Sequence, residues 1–252
     1  MLRVAYDGTN YQGWQIQENG NTIEAELNKA LTTLLQEEVI VVGASRTDSG
    51  VHALGNVAAF TTSSSIPADK LSYAVNRYLP EDIRVVESRE VSLDFHPRYC
   101  RTKKTYEYRI LNAKFPNPMK RAFTHFTYWD CDYERMQEAA KSFVGRHDFK
   151  AFCTVGSQVK TTVREITDID VLRVDDEIII RVTGTGFLYN MVRIIAGTLL
   201  EIGYGRKDVY CIPSIIESGN RKLAGPTAPA KGLTLIKYEF LDEEGMVTQS
   251  GR

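Results

Sequence analysis

The sequence predicts an α+β protein of two similar halves, each built of sandwich layers in which strands pack against helices. Three observations support this prediction. Several short segments alternate apolar and polar residues with the period of a strand. Other segments repeat apolar residues at helical spacing. Each half of the 252-residue chain contains a few predicted strands and two predicted helices. The whole chain has 43% hydrophobic and 25% charged residues, the composition of an ordinary globular protein.

The elements of the first half follow in a clear order. Leu2–Tyr6 has the pattern of a strand and ends at the Asp7-Gly8 turn signal. Asn21 lies three residues before Glu24, a spacing similar to a capping box, and predicts that a helix begins there. The predicted elements are a strand at 2–6, a helix at 22–36, strands at 39–44 and 56–61, a helix from 65 to 80 and a strand at 83–91.

The second half repeats the same ingredients. Residues 103–111 alternate with Tyr106, Tyr108 and Ile110 on one face, which predicts a strand. Asp132 is the predicted N-cap of a helix. Two strands near 163–173 and 177–183 follow, then a long helix from Phe187 and a final strand at 233–240. The predicted domains are residues 1–98, residues 99–240 and a flexible acidic tail, 241–252.

Composition excludes several classes of protein. Lys and Arg number 31 against 32 Asp and Glu, a net charge of −1, which excludes a histone-like coat of positive charge but allows a local nucleic-acid groove. The four cysteines form no C-x-x-C pair, and neither zinc spacing nor a disulfide framework is present. The first residues lack a signal peptide, and polar residues interrupt the most apolar stretch, 187–202. We therefore expect a cytoplasmic protein without a metal ion or a membrane span.

The segment 45–52, with the sequence SRTDSGVH, concentrates reactive side chains in a loop between two apolar strands. Rigid scaffolds commonly hold reactive groups in such loops. Small neighbours and Gly50 would allow a substrate to approach the Asp48 carboxylate. Spacing alone leaves open that Asp48 only stabilises a turn while Arg46 forms a surface ion pair.

Seven blocks of the sequence, in order, resemble the tRNA pseudouridine synthase A family. The string RTDSGVHA at 46–53 is similar to the family signature, although Ser45 replaces its usual glycine. The other blocks are YDGTNYQGWQIQ (6–17), FHPR (95–98), KKTYEYRI (103–110), HDFKAF (147–152), GTGFLYNMVRIIAG (184–197) and TAPAKGLTL (227–235). Pro97 departs from the usual form of its block.

The resemblance implies a fold and a reaction. The implied fold is the pseudouridine synthase fold, with mainly antiparallel sheets and an active-site cleft between the halves. The implied reaction isomerises uridine to pseudouridine at positions 38, 39 and 40 of the tRNA anticodon stem-loop. It needs no cofactor and no metal. A homodimer is also implied, in which one tRNA contacts both subunits.

The resemblance also implies roles for individual residues. Asp48 matches the catalytic aspartate and is expected as the nucleophile, although a base or an electrostatic role stays open. Arg193 matches its ion-pair partner. Tyr106 matches the tyrosine that stacks on the target uracil, and its hydroxyl could transfer a proton. Arg46 matches the arginine that assists extrusion of the nucleotide. Phe187 and Leu188 are expected to line the pocket, although core packing is an equal interpretation.

A cationic segment is the expected RNA surface. Residues 98–121 contain eight basic residues and one acidic residue, Glu107, in a chain of balanced charge. Interleaved aromatic residues make base stacking possible. Arg98, Arg101, Lys103 and Lys104 are the predicted contacts with the RNA backbone.

Two other functions compete with the isomerase. One is an RNA-binding protein of the same fold that has lost catalysis, against which the joint presence of Asp48, Tyr106 and Arg193 argues. The other is an aspartate-dependent glycoside hydrolase, which needs two facing carboxylates. Asp7, the only acid in the block at 6–17, resembles a turn residue.

Overall fold

The computed structural model describes residues 1–18, 20–154 and 159–241. Within these ranges the strands are β1 (Leu2–Tyr6), β2 (Val42–Gly43), β3 (His52–Ala59), β4 (Ile83–Ser88), β5 (Thr102–Asn112), β6 (His125–Thr127), β7 (Gly145–Asp148), β8 (Val163–Val174), β9 (Glu177–Gly184) and β10 (Leu233–Phe240). The α-helices are α1 (Ile23–Leu35), α2 (Leu71–Val75), α3 (Tyr133–Ala140), α4 (Met191–Gly203) and α5 (Ile212–Ser218).

The chain forms two compact units. Unit 1 contains Met1–Thr102 and the segment from Leu235, and unit 2 contains Lys103–Thr234. The final strand therefore groups with the first residues of the chain. The domain bounds expected from the sequence, 1–98 and 99–240, stay a prediction, and the expected tail beyond Leu241 lies outside the described residues.

The sheet of unit 1 has the strand order β4-β1-β3-β10, and β2 pairs with β3. β1 is antiparallel to both β3 and β4. Its alternation turns Leu2, Val4 and Tyr6 into the interior. In helix α1, Ile23, Leu27 and Leu31 are fully buried, so the apolar residues at helical spacing form the buried face of the helix.

The sheet of unit 2 has the order β5-β9-β8-β7. β9 is antiparallel to β5 and β8, whereas the short β6 is parallel to β5. Tyr108 and Ile110 lie opposite Ile180 and Ile178, and all four are fully buried. α3 packs against β8 and against α4. The strands predicted at 103–111 and 177–183 are confirmed as β5 and β9.

Several predicted element boundaries are wrong. Thr22, not Asn21, caps α1, because its side chain accepts from the Ala25 N–H. The predicted strand 39–44 reduces to β2, and the predicted helix 65–80 reduces to α2. Helix α4 begins at Met191, because Asn190 takes a left-handed conformation with φ 60°. Phe187 and Leu188 therefore precede the helix.

The predicted class is confirmed: the described residues form a mixed α+β structure whose strand pairs are mainly antiparallel. Across the described parts of the chain, no helix combines the length and the apolar character needed to cross a membrane.

Candidate active site

Asp48 lies in a tight loop between β2 and β3. Ser45 and Thr47 point inward and are buried, Arg46 is exposed, and Asp48 is partly exposed. The Val51 N–H donates to the Asp48 carbonyl at 3.1 Å, which closes a turn. The loop therefore presents the Arg46 guanidinium and the Asp48 carboxylate on its open side, while the intervening side chains fix its path.

The sequence block at residues 6–17 contacts this loop and fixes its path. The Tyr6 hydroxyl lies 2.7 Å from the Thr47 hydroxyl in a buried hydrogen bond. The backbone N–H of Trp14 donates to the Thr47 carbonyl at 3.0 Å. Gly13, with φ +91°, comes so close that a Cβ there would lie 2.7 Å from that carbonyl oxygen. The side chain and the backbone carbonyl of Thr47, the residue immediately before Asp48, are thereby both fixed.

Asn56 in β3 adds a second buried link. Its side-chain amide donates to the Ser45 carbonyl at 2.9 Å and to the Tyr6 hydroxyl at 3.3 Å, while its oxygen accepts from the Val57 N–H. Burial raises the pKa of the Tyr6 hydroxyl far above its ordinary value. Tyr6 is therefore a neutral hydrogen-bonding group over the whole working range of pH, which makes this network insensitive to protonation.

His52 closes the far end of the loop. The ring is buried, and its Nδ1 lies 3.1 Å from the Gly8 nitrogen and 3.0 Å from the Asp7 carboxylate. Nδ1 can accept from Gly8 in the neutral ring or donate to Asp7, but one nitrogen cannot do both at once. A Cβ at Gly8 would lie 2.1 Å from the Val51 carbonyl oxygen. His52 and Gly8 thus bind the turn after β1 to the Asp48 loop.

In unit 2, the structure brings Tyr106 and Phe187 together. Their ring centroids are 5.2 Å apart at an interplanar angle of 86°, an edge-to-face contact. Tyr106 is 8% exposed, Leu188 is buried, and Phe187 is partly exposed. Tyr106 pairs with Val182 across β5 and β9. Two of the three predicted pocket residues of unit 2 therefore contact each other.

Arg193 lies in the first turn of α4, where two hydrogen bonds orient its guanidinium. Nε donates to the Ala228 carbonyl at 2.7 Å, and Nη1 donates to the Asn190 side-chain oxygen at 2.7 Å. The Ala228 N–H in turn donates to the Arg193 carbonyl. Asn190 is fixed by its own bond to the Thr154 hydroxyl at 2.8 Å. Arg193 is thus a positioned cation, not a freely moving surface side chain.

Close backbone packing supports this part of unit 2. A Cβ on Gly197 of α4 would lie 1.9 Å from the Pro226 carbonyl oxygen, and one on Gly225 would lie 2.6 Å from Gly197. The Tyr108 hydroxyl donates to the Pro229 carbonyl at 2.9 Å. The segment 225–229 therefore lies directly against α4, which brings the Ala228 carbonyl within reach of Arg193.

The predicted RNA contacts lie at two places. In unit 1, Arg98 and Arg101 are exposed, and Arg98 Nε donates to the Gly43 carbonyl at 2.8 Å. In unit 2, Lys103 and Lys104 begin β5 and are partly exposed. Burial, followed by the nearby Arg164 charge, lowers the pKa of Lys104 to about 8.

Other cations of the same segment are used inside unit 2. Arg109 contacts both the Glu107 carboxylate at 2.7 Å and the Glu177 carboxylate at 2.9 Å. Arg181 adds a 2.8 Å contact to Glu107, and Lys120 adds a 2.5 Å contact to Glu177. Both carboxylates are nearly buried. Arg109 and Lys120 are therefore engaged in ion pairs inside unit 2, which makes them less available for contact with RNA.

Sequence reasoning missed the residues that position the site. Tyr6, Asn56 and Ala228 act through hydrogen bonds to residues distant in the chain, and Asn190 joins Arg193 to the distant Thr154. Three of them lie inside the blocks at 6–17, 184–197 and 227–235 that resemble the family, and this position was the available sign of a role in the site. Asn56 lies outside all the blocks, so no such sign existed for it. Among the described side chains, no group of three or more His, Cys, Asp or Glu residues is arranged to hold a metal ion.

Comparison with known proteins identifies the family. The family described as tRNA pseudouridine synthase matches residues 3–100 and 139–240. The tRNA pseudouridine synthase A of Acetivibrio thermocellus is 52% identical over 95% of this chain and 98% of its own length. The corresponding protein of Ruminiclostridium cellulolyticum is 49% identical, over 95% and 98%. In Clostridium tetani, tRNA pseudouridine synthase A 2 is 48% identical, over 93% and 95%. The chain belongs to the tRNA pseudouridine synthase family and is an isomerase.

Proposed function

We propose that this enzyme converts uridine to pseudouridine at positions 38, 39 and 40 of the tRNA anticodon stem-loop, with Asp48 as the catalytic carboxylate. The observation that carries this proposal is the Asp48 loop: its neighbours Ser45 and Thr47 are buried and hydrogen-bonded through their backbone, while Asp48 itself is partly exposed. A carboxylate presented on a fixed backbone is what a positioned nucleophile requires.

The reaction is an isomerisation, so the elemental composition of the nucleotide does not change. The N1–C1′ bond of uridine breaks, the uracil turns over, and C5 bonds to C1′. The proton of C5 is lost, and N1 takes up a proton. In this proposal Asp48 acts as the nucleophile: its ionised oxygen bonds to C1′ while the N1–C1′ bond breaks and its electron pair stays on N1. C5 of the turned uracil then bonds to C1′, the bond between the Asp48 oxygen and C1′ breaks, and the free carboxylate is restored.

Arg193 is the proposed ion-pair partner of Asp48. The support is its orientation: two hydrogen bonds hold the guanidinium through Nε and Nη1. A guanidinium aimed at a carboxylate keeps it ionised and directs its oxygen atoms. The role assigned to Asn190 and Ala228 is then to position Arg193.

Tyr106 and Phe187 are the proposed contacts of the target uracil, with Leu188 as buried packing beneath them. An edge-to-face pair leaves a ring face available for stacking on a base. Arg46, the exposed neighbour of Asp48, is the proposed residue that takes the place of the extruded nucleotide. Arg98, Arg101, Lys103 and Lys104 are the proposed backbone contacts. A homodimer and a cytoplasmic location remain predictions.

Tritium release tests the function directly. The purified enzyme, without added cofactor, is incubated with a tRNA transcript labelled at C5 of uridine. We expect release of tritium from uridines at 38, 39 and 40, and loss of release from transcripts in which those uridines are replaced one at a time. Tight tRNA binding without release would instead support an inactive RNA-binding protein.

A further inference from the structure

Unit 2 carries an aromatic platform that the proposed reaction does not use. It consists of Tyr128, Trp129, Tyr204 and Arg206. The rings of Tyr128 and Trp129 are stacked, with centroids 5.1 Å apart and an interplanar angle of 28°. The Arg206 guanidinium lies 4.8 Å from the Tyr204 ring centroid and 5.6 Å from that of Trp129. The structure thus arranges three rings and one planar cation side by side.

The platform is both exposed and fixed. Tyr128 is 65% exposed and Trp129 52% exposed, although large aromatic side chains are normally covered. The Asn112 side chain donates to the Trp129 carbonyl at 2.8 Å, and the Tyr204 hydroxyl bonds to the Thr127 hydroxyl at 2.8 Å. Glu201 holds Arg206 in a 3.0 Å ion pair. Ordered aromatic faces in contact with solvent indicate a binding surface.

The chain segment that precedes the platform is cationic, although Asp130 directly follows Trp129 and Glu201 pairs with Arg206. No acidic residue occurs between Glu107 and Asp130, a stretch that contains four basic residues. Of these, Lys114 and Arg121 have no ion pair among the described residues, and Lys114 lies 5.4 Å from the Phe115 ring centroid. The Ala113 N–H donates to the Thr127 carbonyl, which brings this cationic segment beside the platform. Flat ring faces next to unpaired cations match a nucleobase and its phosphate.

The platform lies away from Tyr106 within unit 2. Asn112, which holds Trp129, is six residues beyond Tyr106 in β5, a separation of about 20 Å along a strand. A base on this platform therefore cannot be the base that stacks on Tyr106. We propose that Tyr128 and Trp129 stack on a second, unpaired nucleobase of the bound tRNA, outside the nucleotide that reacts. This proposal rests on the proposed function, because it assumes a tRNA substrate.

Tryptophan fluorescence provides a specific test. The chain has two tryptophans: Trp14 is fully buried and Trp129 is half exposed. We expect full-length tRNA to quench the emission and Trp129→Phe to remove most of that quenching. Tyr128→Ala and Trp129→Ala should each raise the Kd of full-length tRNA about tenfold, as expected for loss of one stacked base. Because Glu201 neutralises Arg206, the salt dependence of binding should change little in both variants.

The matched control is Tyr210→Ala, which removes an even more exposed tyrosine (76%) from the same unit and should leave the Kd unchanged. Tritium release from an isolated anticodon stem-loop should be unaltered in all these variants, and this result tests the catalytic assignment separately. An unchanged Kd for full-length tRNA in both alanine variants would overturn the proposal. Loss of self-association in sedimentation, caused by the same variants, would also overturn it, because the platform would then bind a second copy of the chain.

Discussion

The hydroxyl groups of Tyr6 and Thr47 lie 2.7 Å apart in a buried hydrogen bond that joins β1 to the loop carrying Asp48. The two residues are 41 positions apart in the chain. Since Thr47 immediately precedes Asp48, the bond limits how far the backbone at Asp48 can move. The position of the reactive carboxylate therefore depends on a tyrosine that is not itself among the proposed substrate contacts.

Removing the Tyr6 hydroxyl should slow the reaction without weakening tRNA binding. For Tyr6→Phe we expect kcat to fall about tenfold, because small misplacements of a reacting group are costly. Thr47→Val should cause a similar loss, and the double variant should lose little more, since both remove the same bond. Single-turnover rates and tRNA Kd values check this. Tyr78→Phe, an exposed tyrosine in the same unit, is the control; equal loss there would contradict the assignment.

Asp48→Asn should abolish nearly all turnover. We expect a rate at least about a thousandfold lower, a barrier increase of about 4 kcal/mol, because the amide cannot supply the anionic oxygen. tRNA affinity should change by less than about tenfold, since phosphate contacts dominate it. The control is Asp69→Asn, an exposed aspartate of the same unit. Near-normal tritium release by the Asp48 variant would refute the catalytic role.

Arg193→Lys should impair turnover although the charge is retained. A lysine cannot donate simultaneously through the positions of Nε and Nη1 to Ala228 and Asn190, so the cation is no longer oriented. We expect kcat to fall at least about tenfold with little change in Kd. Arg77→Lys, at an exposed position of unit 1, should behave as wild type. Equal rates for the two variants would assign Arg193 a surface role.

Binding at Lys104 should depend on pH. Burial lowers its pKa to about 8, so the ammonium charge is present below pH 8 and is lost as the pH rises through that value. We expect tRNA affinity to fall between about pH 7 and pH 9, and we expect this pH-dependent loss of affinity to be absent in Lys104→Met. Lys103→Met should weaken binding at low salt but keep the pH dependence. Filter binding across pH and salt checks both variants. An unchanged pH dependence of the Kd in Lys104→Met would mean that Lys104 does not contact a tRNA phosphate.

Gly197→Ala should destabilise the protein strongly. Alanine normally stabilises a helix interior, but here its Cβ would lie 1.9 Å from the Pro226 carbonyl oxygen. We expect the free energy of unfolding to fall by about 3 kcal/mol. The control, Gly205→Ala, meets no atom within 4 Å and bears only the cost of φ +72°, about 1 kcal/mol. Denaturant melts of both variants check the order; the reverse order would contradict the proposed packing.

The strands were predictable because side-chain alternation is a local property. Tyr106, Tyr108 and Ile110 share a face in the sequence pattern and in β5. The start of α4 was not predictable in the same way. Phe187 and Leu188 belong to the same apolar stretch as the helix. However, Asn190 adopts φ 60°, and its side chain forms hydrogen bonds with Thr154 and Arg193. Contacts with a distant loop, not the local pattern, determine where this helix begins.

The residues of the candidate site also differ in whether the local sequence could predict them. Asp48 could be identified because reactive residue types lie together in one short segment between two strands. Tyr6 and Ala228 could not be assigned roles, because their contributions are hydrogen bonds to Thr47 and Arg193 that only the folded chain forms. Ala228 acts through its backbone carbonyl, so its side-chain type carries no direct signal of that contact.

The place of β10 beside β3 has a consequence for biosynthesis. β3 ends at Ala59 and β10 starts at Leu233, so about 170 residues are translated between the two neighbours. At ribosomal speed this interval is on the order of ten seconds. Throughout it, the part of β3 that later pairs with β10 lacks that partner in the nascent sheet, and we expect chaperones to be most needed then. Stop codons placed just before Leu233 should yield insoluble chains, even though every proposed catalytic side chain would already have been made.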